Sequence, residues 1–201
     1  EVNSKFFSTL KNTYNFFSMY ANADKLETKD FINSTSYELI DKWMLSKLNR
    51  LVKEVTTAYN EYDLNRVVKP LVNFVSEDLS NWYIRRNRRR FWKGELDESK
   101  KSVYKVTYEV LVTLSQLLAP VSPFLAEEIY TNLTKEESVH LSDFPKCNES
   151  LIDLDVEKQM DLVKDVVSLG RNAREEANLQ TPALFTRSEE HTSELQSRPH
   201  I

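Results

Sequence analysis

A basic and aromatic stretch from Ser80 to Lys93 has the residue types and spacing best suited to chemistry. Its last nine positions, Arg85 to Lys93, hold six cations and no acid, and two of the chain's three tryptophans lie in the stretch. The whole chain has 27 basic and 31 acidic side chains, so the remaining segments are acidic. A local cation cluster on an acidic protein is typical of contact with a phosphate backbone, and aromatic rings can stack on bases. The stretch therefore predicts RNA binding, with a solvated helix face as the alternative.

The cations are not equivalent if this stretch forms a helix. Regular helical spacing places Ile84, Arg88 and Phe91 on one face, which predicts that Arg88 is structural and pairs with a carboxylate of the fold. Trp82 and Tyr83 are each as compatible with a position in the hydrophobic core as with a position on the RNA-binding surface. The predicted RNA-contacting residues are Trp82, Tyr83, Arg85, Arg86, Arg89, Arg90, Trp92 and Lys93.

The sequence offers little for catalysis or for metal binding. Outside the final residues, His140 and Cys147 are the only soft ligands, and a lone pair at that spacing is not a zinc site. Two glycines cannot build the glycine-rich loops that cradle nucleotide phosphates, and no nucleophile lies near a base in the sequence. We therefore expect no catalytic residue, no metal and no cofactor in this chain, and a function of binding.

The number of cysteines and the hydropathy of the sequence indicate the cellular compartment of the protein. A single cysteine excludes a disulfide framework and fits a reducing environment. No apolar run approaches the ~20 residues that a bilayer span requires. We expect a cytoplasmic protein with no membrane partner.

Amphipathic helices must position the basic stretch. Apolar residues recur at three and four positions, and glycine is scarce, which predicts an all-α, antiparallel helical bundle. Asp63 and Asp97 are predicted to be helix N-caps. Ser122 is predicted to cap a further helix whose first residue is Pro123. Pro70 predicts either a kink in its helix or a later start of that helix. Residues 22–36 are predicted as a loop and 139–145 as extended. The predicted helices cover about 2–20, 37–60, 63 into the arginine cluster, 97–117, 122–130 and 155–177.

Several motifs resemble one family in order and spacing. The stretch from Ser80 to Lys93 is similar to the signature of the anticodon-binding helical domain of isoleucyl-tRNA synthetases, which are class I aminoacyl-tRNA synthetases. The segment from Leu118 to Tyr130 is shared with valyl and leucyl relatives. Further similar segments are Phe16-Phe17, Tyr20 to Asn22, Asp41 to Ser46, Ser138 to Leu141 and Glu149 to Asp153.

The resemblance implies a tRNA partner and a bundle of the class I anticodon-binding type. It also implies a parent ligase that uses ATP with magnesium to attach isoleucine, with catalytic and editing domains outside this chain. The fragment alone is then predicted to be inactive, and no DNA partner is expected. The alternatives are the same domain of a valyl or leucyl enzyme, or a helical scaffold that binds a protein.

Three regions are predicted along the chain. Residues 1–145 form the anticodon-binding bundle, and 146–186 open a truncated C-terminal region. Residues 187–201 lack apolar periodicity and read as the translation of a sequencing adapter, so we interpret them as a non-native tail.

Overall fold

The all-α bundle is confirmed by the computed structural model, which describes residues 6–177 and contains no strand within them. A π-helical segment, Phe74–Ile84, joins two α-helices, and single 3₁₀ turns lie at Val139–Leu141 and Glu149–Leu151. The α-helices are α1 Ser8–Ala23, α2 Thr28–Phe31, α3 Leu39–Asn60, α4 Leu64–Asn73, α5 Arg85–Trp92, α6 Glu98–Leu118, α7 Pro123–Thr134 and α8 Leu154–Glu176.

Helix starts follow the capping residues of the sequence. The Asp63 carboxylate accepts hydrogen bonds from the amides of Asn65 and Arg66, and Asp97 accepts from the amide of Lys100. Both predicted caps are confirmed, because each carboxylate satisfies amides that have no partner within the helix. Pro123 is the first residue of α7, as predicted, although the Ser122 side chain makes no capping hydrogen bond.

Four boundaries differ from the prediction. Residues 22–36 contain the short helix α2, which starts in a reciprocal capping box between Glu27 and Asp30. Helix α7 continues to Thr134, and 139–145 opens with a 3₁₀ turn instead of being extended throughout. Pro70 lies inside α4, so the late-start alternative is wrong. The predicted start of the first helix and the proposed tail at 187–201 lie outside the described residues.

An aromatic cluster fills the core between α1, α5 and α6. Phe91 of α5 packs edge-on against Tyr104 of α6, with ring centroids 4.9 Å apart, and against Phe16 of α1 at 5.1 Å. Phe17 extends the cluster toward Tyr104 and toward Phe31 of α2. Edge-to-face pairs of this kind add specificity to the burial of large rings. The inner side of α5 is thereby fixed against two long helices.

Helices α3 and α6 run side by side in the same direction. Near their starts, Ser99 of α6 donates to Glu38, the residue before α3, at 2.5 Å. Near their ends, the Tyr59 hydroxyl donates to the carbonyl of Leu117 at 3.0 Å. The contact between Ser99 and Glu38 marks the end of the bundle where the basic helix lies. The contact between Tyr59 and Leu117 marks the opposite end, where the α3–α4 and α6–α7 loops lie.

The chain divides into two compact units after Glu157. Residues 148–157 contact α3 within the first unit: Asn49 accepts from the Asn148 amide, Ser46 from the Asp153 amide, and Arg50 pairs with the buried Glu157. The described residues from 158 to 176 form the remainder of α8. The domain boundary at 145, drawn from sequence, stays a prediction.

Candidate nucleic-acid interface

Helix α5 presents most of its cations to solvent. The helix has five arginines and no acid among eight residues. At 3.6 residues per turn, the outward-facing residues fall on one side, opposite Tyr83, Asn87 and Arg90. Trp92, at the end of the helix, is 56% exposed. The exposed cations of the cluster are Arg85, Arg86, Arg88, Arg89 and Lys93.

Arg90 is the arginine that points inward. Its two terminal nitrogens each donate to one oxygen of Asp41 on α3, both at 2.8 Å, and Asp41 is fully buried. The same guanidinium donates to the carbonyl and hydroxyl of Ser99 and to the hydroxyl of Ser102, all on α6. The guanidinium also donates a hydrogen bond to the side-chain oxygen of Asn87. A bidentate arginine–carboxylate pair with its other donors satisfied is the arrangement that makes a buried charge tolerable.

Tyr83 belongs to the same network. Its hydroxyl donates to Asp41 at 2.7 Å, and its ring is fully buried. Burial raises the pKa of Tyr83 well above its ordinary value, and the adjacent Asp41 charge raises it further. For Arg90, burial alone would lower the pKa, but the hydrogen bonds and charge of Asp41 raise it above its usual range. Arg90 therefore stays charged, and the Tyr83 phenol stays neutral, across the physiological pH range.

Three predicted roles are corrected by this geometry. Arg88 is exposed, so its predicted pairing inside the bundle is wrong, and Arg90 takes that position. Tyr83 and Arg90 were predicted to contact RNA, but both are buried in the network around Asp41. Neither can reach a ligand unless the network opens. The structural residues that sequence analysis missed are Asp41, Asn87, Ser99 and Ser102.

The π-helical segment carries the buried face of the preceding residues into α5. On a regular α-helix, Leu79 and Ile84 would be about 140° apart, so they could not both face the core. In a π-helix the hydrogen bonds join residues five apart. Both residues are accordingly buried, together with Tyr83. The buried face of α5 is centred on Asn87, a polar residue that an apolar periodicity does not count.

The two ends of the exposed face have aromatic residues in different settings. The Arg86 guanidinium lies over the ring of half-buried Trp82, 4.6 Å from its centroid, a cation–π contact. Lys93 pairs with Asp97 at 2.7 Å. The Lys93 hydrogen bond, aided by the Lys100 amide, lowers the pKa of Asp97. Trp92 presents an accessible ring, whereas Trp82 is already in contact with a cation.

Among residues 6–177, no three His, Cys, Asp or Glu side chains converge as a metal site would require. None of the helices there combines the length and apolar character of a membrane span.

The inward position of Arg90 predicts a large difference between two arginines of one helix. Arg90→Gln should destabilise the fold by about 3 to 5 kcal/mol, because it leaves Asp41 charged and buried without its partner. Arg88→Gln, the matched control on the exposed face, should change stability by no more than about 0.5 kcal/mol. Urea unfolding of the two variants measures the difference. Equal effects would contradict the assigned faces.

The raised pKa of Tyr83 predicts a stability that declines at alkaline pH. Below pH 10 the phenol is protonated in both states; above it the unfolded chain loses the proton while the folded chain retains it. Unfolding then releases a proton, so stability falls as pH rises above 10. Tyr83→Phe should cost about 1 to 3 kcal/mol at pH 7 through the lost hydrogen bond to Asp41. From pH 10 to 11 it should lose stability less steeply than the parent chain. Parallel slopes in urea titrations would count against a neutral, buried Tyr83.

Comparison with known proteins gives the family. Residues 41–186 match the family described as the anticodon-binding domain of tRNA ligase. The isoleucine–tRNA ligase of Bacteroides thetaiotaomicron is 44% identical over 186 residues, covering 89% of this chain and 16% of the ligase. That of Clostridium novyi is 46% identical over 188 residues, covering 89% and 18%. That of Cytophaga hutchinsonii is 41% identical over 181 residues, covering 87% and 16%. The chain thus spans about one-sixth of the length of these relatives, and it belongs to the family of anticodon-binding domains of tRNA ligases.

Proposed function

We propose that this chain binds the anticodon stem-loop of a tRNA as one domain of an isoleucine–tRNA ligase. The observation that carries the proposal is the outward face of α5, where arginines and Trp92 lie together on an otherwise acidic chain. Phosphate oxygens attract such a face at long range, and arginine forks can engage them bidentately. The similarity to isoleucine–tRNA ligases supplies the choice of ligand.

Each exposed side chain has a role that its setting supports. Arg85, Arg88 and Arg89 occupy the centre of the exposed face and would neutralise phosphates. Trp92 offers a free-standing ring on which an unpaired base of the loop can stack. Lys93 would contribute less, because Asp97 already balances its charge.

The buried network determines the direction in which this face points. Arg90 ties α5 to α3 through Asp41 and to α6 through Ser99 and Ser102. The helix therefore cannot rotate about its axis without breaking several buried hydrogen bonds. A bound stem-loop would be held at a fixed orientation to the long helices, and through them to the rest of the ligase.

The chemistry of aminoacylation would take place outside this chain. The signatures His-x-Gly-His and Lys-Met-Ser-Lys-Ser are absent from its sequence. ATP with magnesium, isoleucine and the editing function are assigned to other parts of a ligase about six times as long. The Leu118–Tyr130 motif, taken alone, would also fit a domain of a valyl or leucyl ligase. The relatives reported above favour isoleucine.

The exposed arginines should act as phosphate contacts in a salt series. Each cation that neutralises a phosphate steepens the dependence of log affinity on log salt by about 0.7 to 0.9. Replacing Arg85, Arg86, Arg88 or Arg89 singly by Gln should flatten the slope by roughly that amount without unfolding the chain. Filter binding of tRNA between low and physiological salt measures the slopes.

A cation distant from α5 provides the matched control. Lys53→Gln on α3, an exposed lysine paired with Glu149, should leave the slope unchanged. If the four arginine variants kept the slope of the unsubstituted chain, α5 would be a solvated helix face and the RNA-binding proposal would fail. If Lys53→Gln flattened the slope as much as they do, binding would be diffuse over the surface.

The isolated chain should bind tRNA without charging it. Incubation with ATP, magnesium, isoleucine and tRNA should yield no aminoacyl-tRNA above background, whereas the intact ligase of Bacteroides thetaiotaomicron under the same conditions should charge its tRNA. The acid-precipitable radiolabel on tRNA is the measurement. Robust charging by the chain would show that it contains an active site.

A further inference from the structure

The end of the bundle opposite the basic helix has an exposed aromatic surface. Tyr62, in the α3–α4 loop, is 92% exposed, and Phe124, the second residue of α7, is 90% exposed. The two loops are neighbours, because the Tyr59 hydroxyl bonds the Leu117 carbonyl just before each loop begins. Leu64 and Val121 are also exposed there. We call Tyr62, Leu64, Val121 and Phe124 the aromatic end.

The backbone of Tyr62 ends α3 in a left-handed conformation. Its φ of 56° is in the left-handed region, where glycine or asparagine is favoured at the end of a helix. The turn is nevertheless closed by two hydrogen bonds, from the Tyr62 amide to the Tyr59 carbonyl and from the Asp63 amide to the Ala58 carbonyl. This turn leaves the Tyr62 ring at the tip of the α3–α4 loop, 92% exposed.

The charge at the aromatic end suits a protein better than RNA. The flanking charged residues Glu61 and Arg66 pair with each other, and the Asp63 carboxylate caps α4. The four residues of the surface are uncharged, so no phosphate-binding cation projects among them. Exposed aromatic and aliphatic side chains of this type mark contacts with proteins.

The two ends are far enough apart to be occupied together. Asp41, which anchors the basic helix, and Tyr59, beside the aromatic end, are separated by 18 residues of the single helix α3. At 1.5 Å per residue this corresponds to about 27 Å. A partner at the aromatic end would therefore not cover Arg85 or Trp92.

The rest of the ligase polypeptide is the occupant that these observations favour. Helix α1 runs antiparallel to α6, since Asp24 pairs with Lys100 and Phe17 contacts Tyr104. The first described residue, Phe6, therefore lies toward the aromatic end. The relatives are about six times as long as this chain, so most of such a ligase lies outside it. A tethered neighbour needs only a small apolar contact to dock, because the link supplies a high effective concentration.

From this we infer that the aromatic end is the docking surface between this domain and the remainder of the ligase polypeptide. The inference rests on the proposed function in that it takes the chain as part of such a ligase. It does not depend on whether α5 binds RNA.

Hydroxyl-radical footprinting read by mass spectrometry tests the inference. The full chain would be compared with a chimera in which residues 1–177 replace the matching segment of the Bacteroides thetaiotaomicron ligase. Tyr62 and Phe124 should oxidise about tenfold more slowly in the chimera, as expected for side chains at the core of an interface. Trp92 and Met19, each 56% exposed, should keep their rates and serve as internal controls.

The outcomes separate the possible occupants. Equal oxidation of Tyr62 and Phe124 in the chain and the chimera would overturn the inference. Protection that grows with the concentration of the chain alone would assign the surface to a second copy, and protection by added tRNA alone would assign it to RNA. Either would also overturn it. Rapid oxidation of Tyr104 would show that the chain does not fold alone. The chimera is then sufficient by itself, because docking predicts that Phe124 is as protected from oxidation as buried Phe91. An unprotected Phe124 in the chimera refutes docking.

The same experiment keeps the proposed function distinct. Addition of tRNA to the chain or the chimera should protect Trp92. If Trp92 is not protected while Tyr62 and Phe124 are protected in the chimera, RNA binding by α5 fails and the docking surface stands.

Discussion

The buried ion pair between Arg90 and Asp41 is the interaction on which the presentation of the basic helix depends. A charged pair of this kind contributes little net stability compared with an apolar core, because both ions lose their hydration. Its value lies in geometry: the planar guanidinium engages Asp41 with two nitrogens and reaches α6 with the others. Lysine has no such fork and could not link three helices in this way. The pair thus fixes the rotation of α5 about its own axis.

That rotation decides which arginines are available. Five arginines in eight residues repel one another. Turning one inward, with Asn87 and Phe91 beside it, gives α5 a buried side on which it can pack. The cations near its end also interact favourably with the helix dipole. The helix can therefore hold a concentrated positive face that would be unstable in isolation.

Sequence patterns gave most of the fold but not the orientation of this helix. The helices, the caps at Asp63 and Asp97, and the arginine-rich segment follow from apolar periodicity and from residue type. The identity of the inward arginine does not, because all five have the same chemistry and the buried face is centred on Asn87, a polar residue that an apolar periodicity does not count. One signal was present: Asp41 is a carboxylate next to the apolar stripe of α3, and a buried acid requires a cation. Exposure was equally unpredictable for Tyr62 and Phe124, since aromatic residues are more often in the core.

The bundle separates its two surfaces along one direction. Helices α3 and α6 are parallel neighbours, and both run from the arginine network to the aromatic end. Val55 of α3 and Val106 and Leu114 of α6 are fully buried, so both helices contribute to one close-packed core. The network around Asp41 joins α5 to both of these helices, so the orientation of the basic helix follows theirs. The direction in which the exposed arginines of α5 point is accordingly a property of the whole bundle and not of the basic segment alone.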